Sequence, residues 1–170
     1  MRELRLAWAP CPPERIARRA IAWDLVRGLL AEAGHADAEL SNPCARCGSP
    51  HGPVRIAGAP WLASVSYAGG IAVAAILPAT VAAFGMDAEP LVDPVRDSAG
   101  PVPGGLLHWV RIEAAVKADG RGLRVNPEEV VVAETAGGGW QARLPGTATV
   151  YSGREVTGPP GVLVAVAVGG

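Results

Sequence analysis

The chain has 170 residues, of which 49% are hydrophobic and 18% are charged, and its formal net charge is −1. This composition argues against a disordered chain, and the small net charge gives no reason to expect a nucleic-acid partner. No apolar run approaches the roughly 18–20 residues of a membrane helix, and the N-terminal residues lack the apolar core of a secretion signal. We therefore expect a cytoplasmic protein that binds neither nucleic acid nor membrane.

The first half of the sequence predicts a strand, a helix and a loop. Residues 2–9 alternate apolar and polar side chains, which is typical of a strand. Two prolines at 12–13 are tolerated in a first helical turn, so we expect a helix over 14–34 that stops at Gly34. Residues 41–60 are dense in Pro and Gly and predict a loop.

Further along, three apolar segments near 61–67, 71–77 and 81–88 predict strands of an antiparallel meander, because short turn sequences separate them. Turn residues follow, and then "GGLLHWVRIEAAVKADG" predicts a second helix that ends near Gly120. Four strand-like segments complete the chain: "EEVVVAE", "GWQARL", "TATVY" and "GVLVAVAV". Because the order strand, helix, strands occurs twice, we predict an α+β fold of two similar halves, residues 1–82 and 83–170.

Two acids close the apolar segment of the third predicted strand, in "FGMDAEP". On a strand, Asp87 and Glu89 would point to the same side, roughly 6–7 Å apart. Carboxylates close in space suit Mg²⁺, which would also relieve their repulsion. Solvated acids at a strand end are the more common explanation of such a pair.

The second predicted helix carries Trp109, Glu113 and Lys117 on one face, since they are spaced by four residues. Lys117 is the only lysine beside fourteen arginines, so either it survives by chance or an amine is required there. Glu113 and Lys117 could form an ordinary helix pair. Alternatively, Glu113 completes a carboxylate cluster and Lys117 offers a positive charge to a phosphate.

The segment "CARCGSPHG" carries Cys44, Cys47 and His51, and the chain has three cysteines in all, which argues against a disulfide scaffold. A Cys-x2-Cys pair followed by a His could begin a zinc site, although a fourth ligand is hard to find in the sequence. A compact loop in which His51 or Arg55 faces a substrate is another interpretation, and a purely structural loop is a third.

Four of these segments resemble motifs of the 4'-phosphopantetheinyl transferase superfamily, in its larger, two-halved class. They are "CARCGSPHG", "SVSYAGG", "GMDAE" and "WVRIEAAVKADG", and they follow the family's order. The resemblance implies a 4'-phosphopantetheinyl transferase-like fold of two pseudo-duplicated halves, each with an antiparallel sheet and a long helix. It also implies that the site lies between the halves and that a monomer suffices.

The resemblance implies transfer of the 4'-phosphopantetheine arm of coenzyme A to a serine of an apo acyl or peptidyl carrier protein. Asp87, Glu89 and Glu113 would hold Mg²⁺, which neutralises the pyrophosphate. Glu113 would also accept the serine proton, and Lys117 would stabilise charge on the phosphates. The residues implied to bind coenzyme A are His51, Arg55, Ser66, Tyr67 and Lys117.

Several positions depart from the family pattern. Two of them remove a cation: Tyr67 stands where the family has a His, and Ile112 stands where it has a Lys. Neither side chain brings a positive charge to a phosphate. Two functions from different classes therefore stay open, an active transferase and a silent relative that binds coenzyme A or a carrier protein without transfer. A small zinc-stabilised interaction domain is a third.

Overall fold

The computed structural model describes residues 3–170, apart from the side chain of Leu123. It is an α+β structure with antiparallel sheets and few helices, as predicted. The chain divides into two compact units, Met1–Val81 and Ala82–Gly170, whereas the sequence placed the junction after residue 82. A pseudo-two-fold relation between the halves and a site between them stay predictions. Among the described residues, no helix combines the length and the apolar character that a membrane span requires.

The first unit packs one long helix on a three-stranded antiparallel sheet, in the order β1-β5-β4, with a β2-β3 hairpin beside β4. The helix α1 covers the sheet because Val26, Leu29 and Leu30 are buried against Ala74 and Ile76 of the sheet. The elements of this unit are β1 (Arg5–Pro10), α1 (Arg15–Glu32), β2 (Glu39–Pro43), β3 (Pro50–Ala57), β4 (Trp61–Ala68) and β5 (Ile71–Pro78).

The second unit packs its long helix α3 on a five-stranded antiparallel sheet, in the order β6-β10-β9-β8-β7. Gly120, at φ +77°, ends α3 as predicted, because a left-handed residue there turns the chain out of the helix. The elements are β6 (Ala83–Pro90), α2 (Pro94–Ser98), α3 (Gly105–Asp119), 3₁₀ turns at Gly122–Arg124 and Pro127–Glu129, β7 (Val131–Glu134), β8 (Trp140–Arg143), β9 (Val150–Val156) and β10 (Val162–Gly169).

The two units have the same order of strands and long helix, and the second unit adds α2 and two 3₁₀ turns to it. In each, the first strand precedes the long helix, and four strands follow that helix. In each, the first strand pairs antiparallel with the last one: β1 with β5, and β6 with β10. The internal similarity that was suggested by the order of predicted elements therefore extends to the strand pairing.

Three sequence-based expectations were wrong. Residues 41–60 are not a loop but contain β2 and β3, because Val54 and Ile56 alternate toward the core although Pro and Gly surround them. The three-strand meander does not form: β4 pairs with β5, but β6 pairs with β10, and periodicity does not reveal a distant partner. The prolines at 12–13 lie before α1, which begins at Arg15. The first predicted strand began at Arg2, which lies outside the described residues.

The contact between α3 and β6 depends on Gly85. A Cβ at this residue would collide with the backbone carbonyl oxygen of Ala114 and the backbone nitrogen of Ala118. These helix residues are themselves small and fully or almost fully buried. The helix axis can therefore approach the strand more closely than larger side chains would permit.

We predict that Gly85→Ala destabilises the protein by about 3 kcal/mol, because backbone atoms cannot yield to the added methyl group. Urea unfolding of the full chain measures this change. Gly28→Ala is the matched control, since a Cβ at Gly28 in α1 meets nothing within 4 Å. That control should be more stable by about 0.8 kcal/mol. Equal stability of Gly85→Ala and the wild-type protein would show that the helix does not lie this close.

Candidate functional site

Strand β6 directs its two acids toward helix α3. Residues 85, 87 and 89 share one face of the strand, since side chains alternate along it, and Gly85 is the point at which α3 touches that face. Asp87 is buried, with 4% of its surface exposed, whereas Glu89, two residues nearer the strand end, is partly exposed. The acids therefore sit where the helix covers the sheet.

The stripe Trp109, Glu113 and Lys117 of α3 meets these acids. Lys117 donates a hydrogen bond from Nζ to Oδ1 of Asp87 at 2.7 Å. At the other end of the stripe, the Trp109 side chain donates a hydrogen bond to Glu89. Glu113 lies between them and is repelled by the charges of both acids of the strand. The four-residue spacing noted in the sequence thus places all three side chains on the strand acids.

Burial and mutual repulsion shift the pKa values of Glu89 and Glu113. Burial, followed by repulsion from Asp87, raises the pKa of Glu113 above 4.5, and the positive charge of Lys117 only partly offsets this. The same two causes raise the pKa of Glu89, with Arg96 as the main opposing charge. The cluster is consequently short of positive charge.

Arg96 is a cation that sequence reasoning missed. It lies in α2, and its Nη1 atom is 3.6 Å from Oε2 of Glu89. The short helix forms because Asp93 accepts hydrogen bonds from two backbone amides of its first turn, a local signal that the sequence contains. The guanidinium also donates to the carbonyl oxygens of Pro90 and Leu91, which fixes it beside the end of β6.

These residues fit Mg²⁺ in their chemistry, since the three neighbouring carboxylates are hard, negatively charged ligands. A tighter group of metal-ligating side chains lies elsewhere within residues 3–170. It consists of Cys44, Cys47 and His51, whose ligand atoms all lie within 4.8 Å of one another. The three acids are spaced more widely than that. They would hold the ion either after side-chain rotation or through the water ligands that Mg²⁺ retains.

In the first unit, His51 and Arg55 both lie on the exposed face of β3, four residues apart, while the alternate residues Val54 and Ile56 pack inward. Nε2 of His51 lies 3.1 Å from Sγ of Cys47. Hydrogen bonds from the side chain and the backbone of Ser49 lower the pKa of the Cys47 thiol. Of the residues predicted to bind coenzyme A, His51 and Arg55 thus share one surface of the hairpin. The imidazole of His51 lies beside the Cys47 thiol.

Ser66 and Tyr67 are neighbours on β4 and therefore point to opposite faces of the sheet. Ser66 is buried, and Tyr67 is partly buried on the face that α1 covers. The Arg18 guanidinium lies over the Tyr67 ring, 4.8 Å from its centroid. Arg18 therefore places a positive charge beside Tyr67, the position at which the resembled family has a histidine.

Ile112 and Arg111 contribute to the packing and ion pairing of the second unit. Ile112 is buried in the core of the second unit, so this residue faces away from the acids. Arg111 is buried as well and donates hydrogen bonds to Glu155 at 2.7 Å and to Glu134 at 3.2 Å. These partners are 44 and 23 residues away in sequence, which is why no local pattern revealed them.

No model of a known protein family matches the sequence, and no curated protein matches it either.

Without metal, Glu113→Gln should stabilise the protein at neutral pH. A carboxyl whose pKa is raised on folding binds its proton more tightly in the folded state, so its ionised form opposes folding. This destabilisation is absent below the pKa of the unfolded chain, grows as the pH rises through the raised pKa, and is complete above it. The stability gain of Glu113→Gln should therefore disappear in acid.

Urea unfolding at a series of pH values, in the presence of a chelator, measures this gain. Glu32→Gln on the exposed surface of α1 is the control and should change stability little at any pH. A Glu113→Gln variant that is no more stable than wild type at neutral pH would contradict the crowding of the three acids.

Proposed function

We propose that the protein is a Mg²⁺-dependent 4'-phosphopantetheinyl transferase of the superfamily that its motifs resemble, with the corresponding two-halved fold. It would act as a monomer in the cytoplasm on coenzyme A and an apo acyl or peptidyl carrier protein. One observation carries the proposal: the α3 stripe of Trp109, Glu113 and Lys117 lies on the two acids of β6. An ordinary Glu–Lys pair lies on an exposed helix surface, whereas Lys117 contacts the buried Asp87.

In this proposal, Asp87, Glu89 and Glu113 hold the metal, which supplies charge neutralisation for the pyrophosphate. Glu113 accepts the proton of the carrier serine, directly or through a water molecule. The serine oxygen forms a bond to the phosphorus of the phosphopantetheine arm. The bond from that phosphorus to the oxygen of adenosine 3',5'-bisphosphate breaks, and Lys117, whose Nζ donates to Asp87, would stabilise the charge that develops.

Arg18 would contact a phosphate of coenzyme A in place of the missing family histidine. Its guanidinium lies over the Tyr67 ring, 4.8 Å from the ring centroid, and therefore carries a positive charge beside the position of that histidine. His51 and Arg55 supply further positive or polar contacts on the exposed face of β3.

A silent relative is the second candidate, and the Lys117–Asp87 ion pair favours it. An acid that already has a cation at 2.7 Å needs no metal for its charge. In that case the protein would bind coenzyme A or the carrier protein without forming a covalent product. Transfer and binding must therefore be measured separately.

With Mg²⁺, a fluorescent coenzyme A and several apo carrier proteins, the wild-type chain should label a carrier covalently. Asp87→Asn should reduce this rate by about a hundredfold, which corresponds to the few kcal/mol of charge stabilisation that a metal supplies. Asp24→Asn removes an exposed acid of α1 that pairs with Arg27, and it should keep the full rate. Carriers that remain unlabelled while coenzyme A binds would assign the protein to the silent class.

Arg18→Gln should weaken the binding of coenzyme A about tenfold, because a charged contact to a phosphate is lost. Calorimetric titration with coenzyme A measures the affinity. Arg15→Gln, at an exposed position one turn earlier, is the matched control and should bind as wild type does. A second titration with 3'-dephospho-coenzyme A identifies the phosphate. The variant and the wild type should bind this compound equally if Arg18 contacts the 3'-phosphate, and unequally if it contacts the pyrophosphate. Equal affinities of Arg18→Gln and Arg15→Gln for coenzyme A would exclude this role.

A further inference from the structure

We propose that Cys44, Cys47 and His51 form a zinc site at the tip of the β2-β3 hairpin. This site is separate in chemistry from the acid cluster of β6 and α3, because its ligands are thiolates and an imidazole. Soft sulfur and nitrogen ligands select Zn²⁺, whereas Mg²⁺ requires oxygen. The proposal stands whether or not the protein transfers phosphopantetheine. An imidazole that binds zinc is neutral, so with zinc bound Arg55 rather than His51 would offer the positive charge on this face of β3.

The ligand atoms have almost the spacing of a tetrahedral site. With Zn–S near 2.3 Å and Zn–N near 2.0 Å, two ligand atoms on a tetrahedron lie about 3.5–3.8 Å apart. The Sγ and ring nitrogen atoms of the three residues all lie within 4.8 Å of one another. Sγ of Cys47 and Nε2 of His51 are 3.1 Å apart. Shifts of about an ångström in side-chain position would bring all three onto one ion.

The backbone between the cysteines is folded so that both thiols face the same point. The amide of Gly48 donates to the carbonyl oxygen of Cys44 at 2.9 Å, and the amide of Cys44 donates to the carbonyl oxygen of Ser49 at the same distance. Gly48 has φ +71°, which a residue with a side chain rarely adopts. Ser49 also hydrogen-bonds with Cys47, so the thiol that points to His51 is oriented by its own turn.

The hairpin holds His51 next to this turn. Pro43 and Pro50 face each other across β2 and β3, directly outside the loop. At Gly52 the backbone passes so close to the carbonyl group of Pro43 that a Cβ would collide with it. Arg19 of α1 fixes the same point by donating to the carbonyl oxygen of Pro50 at 2.7 Å. A turn that is anchored on both sides gives the three ligands little conformational entropy to lose on binding.

Three ligands leave one position of a tetrahedral zinc ion open. Cys47 and His51 are exposed, and Cys44 is partly so, which allows a water molecule to complete the coordination. The ion would join the two ends of the turn, residues 44 and 51, and stabilise the hairpin against opening. A fourth protein ligand, which the sequence did not offer, is therefore not needed.

Cobalt titration of the full chain under reducing conditions tests the site, because Co²⁺ in a tetrahedral thiolate site has intense visible and near-ultraviolet absorption. We expect the absorption to saturate at one Co²⁺ per chain and to disappear when Zn²⁺ is added. Competition with a chromophoric chelator then gives the zinc affinity. Cys47→Ser and His51→Ala should each lower that affinity about a hundredfold, since each removes a direct ligand.

Cys11→Ser is the matched control, because it removes a thiol that directly follows β1 and should leave the zinc affinity unchanged. Circular dichroism of each variant establishes that it is folded. The wild-type cobalt titration tests the site even if a variant does not fold. Absence of thiolate–cobalt absorption in the wild-type chain would overturn the proposal, and so would equal zinc affinity of Cys47→Ser and Cys11→Ser.

Discussion

Helix α3 lies directly on strand β6 because residue 85 has no side chain, and the chemistry of the second unit depends on this contact. The close approach brings the ammonium group of Lys117 within hydrogen-bonding distance of a buried aspartate. It also places Glu113 beside both strand acids, where burial and repulsion raise its pKa. An arrangement that concentrates like charges in a partly buried position is costly for folding. It becomes favourable if a cation, and then a phosphate, is bound there.

The sequence predicted those parts of the fold and site that depend on local spacing. The alternation around Asp87 and the four-residue spacing from Trp109 to Lys117 fixed which side chains share a face, and Gly120 marked the helix end. Long-range pairing was beyond such reasoning. Nothing near β6 indicates that β10 is its partner. Local sequence patterns could not predict the ion pair of buried Arg111 with Glu155 either, because these residues are 44 positions apart.

The cysteine hairpin illustrates how composition can conceal structure. Proline and glycine around His51 suggested a loop, yet the same residues permit a tight turn and a close pass of the backbone beside Pro43. The result is a set of thiols and an imidazole gathered at one point. The two units thus offer ligands of opposite character, soft in the first and hard in the second, and each set has a different preferred metal.

Binding of Mn²⁺, followed by electron paramagnetic resonance and competed with Mg²⁺, tests most directly whether the three acids share one divalent ion. The titration is made with coenzyme A present, since its pyrophosphate would contribute ligands. We predict one bound Mn²⁺ per chain that Mg²⁺ displaces and that is lost in a chain carrying both Glu89→Gln and Glu113→Gln. A wild-type spectrum identical to that of Mn²⁺ with coenzyme A alone would contradict the account.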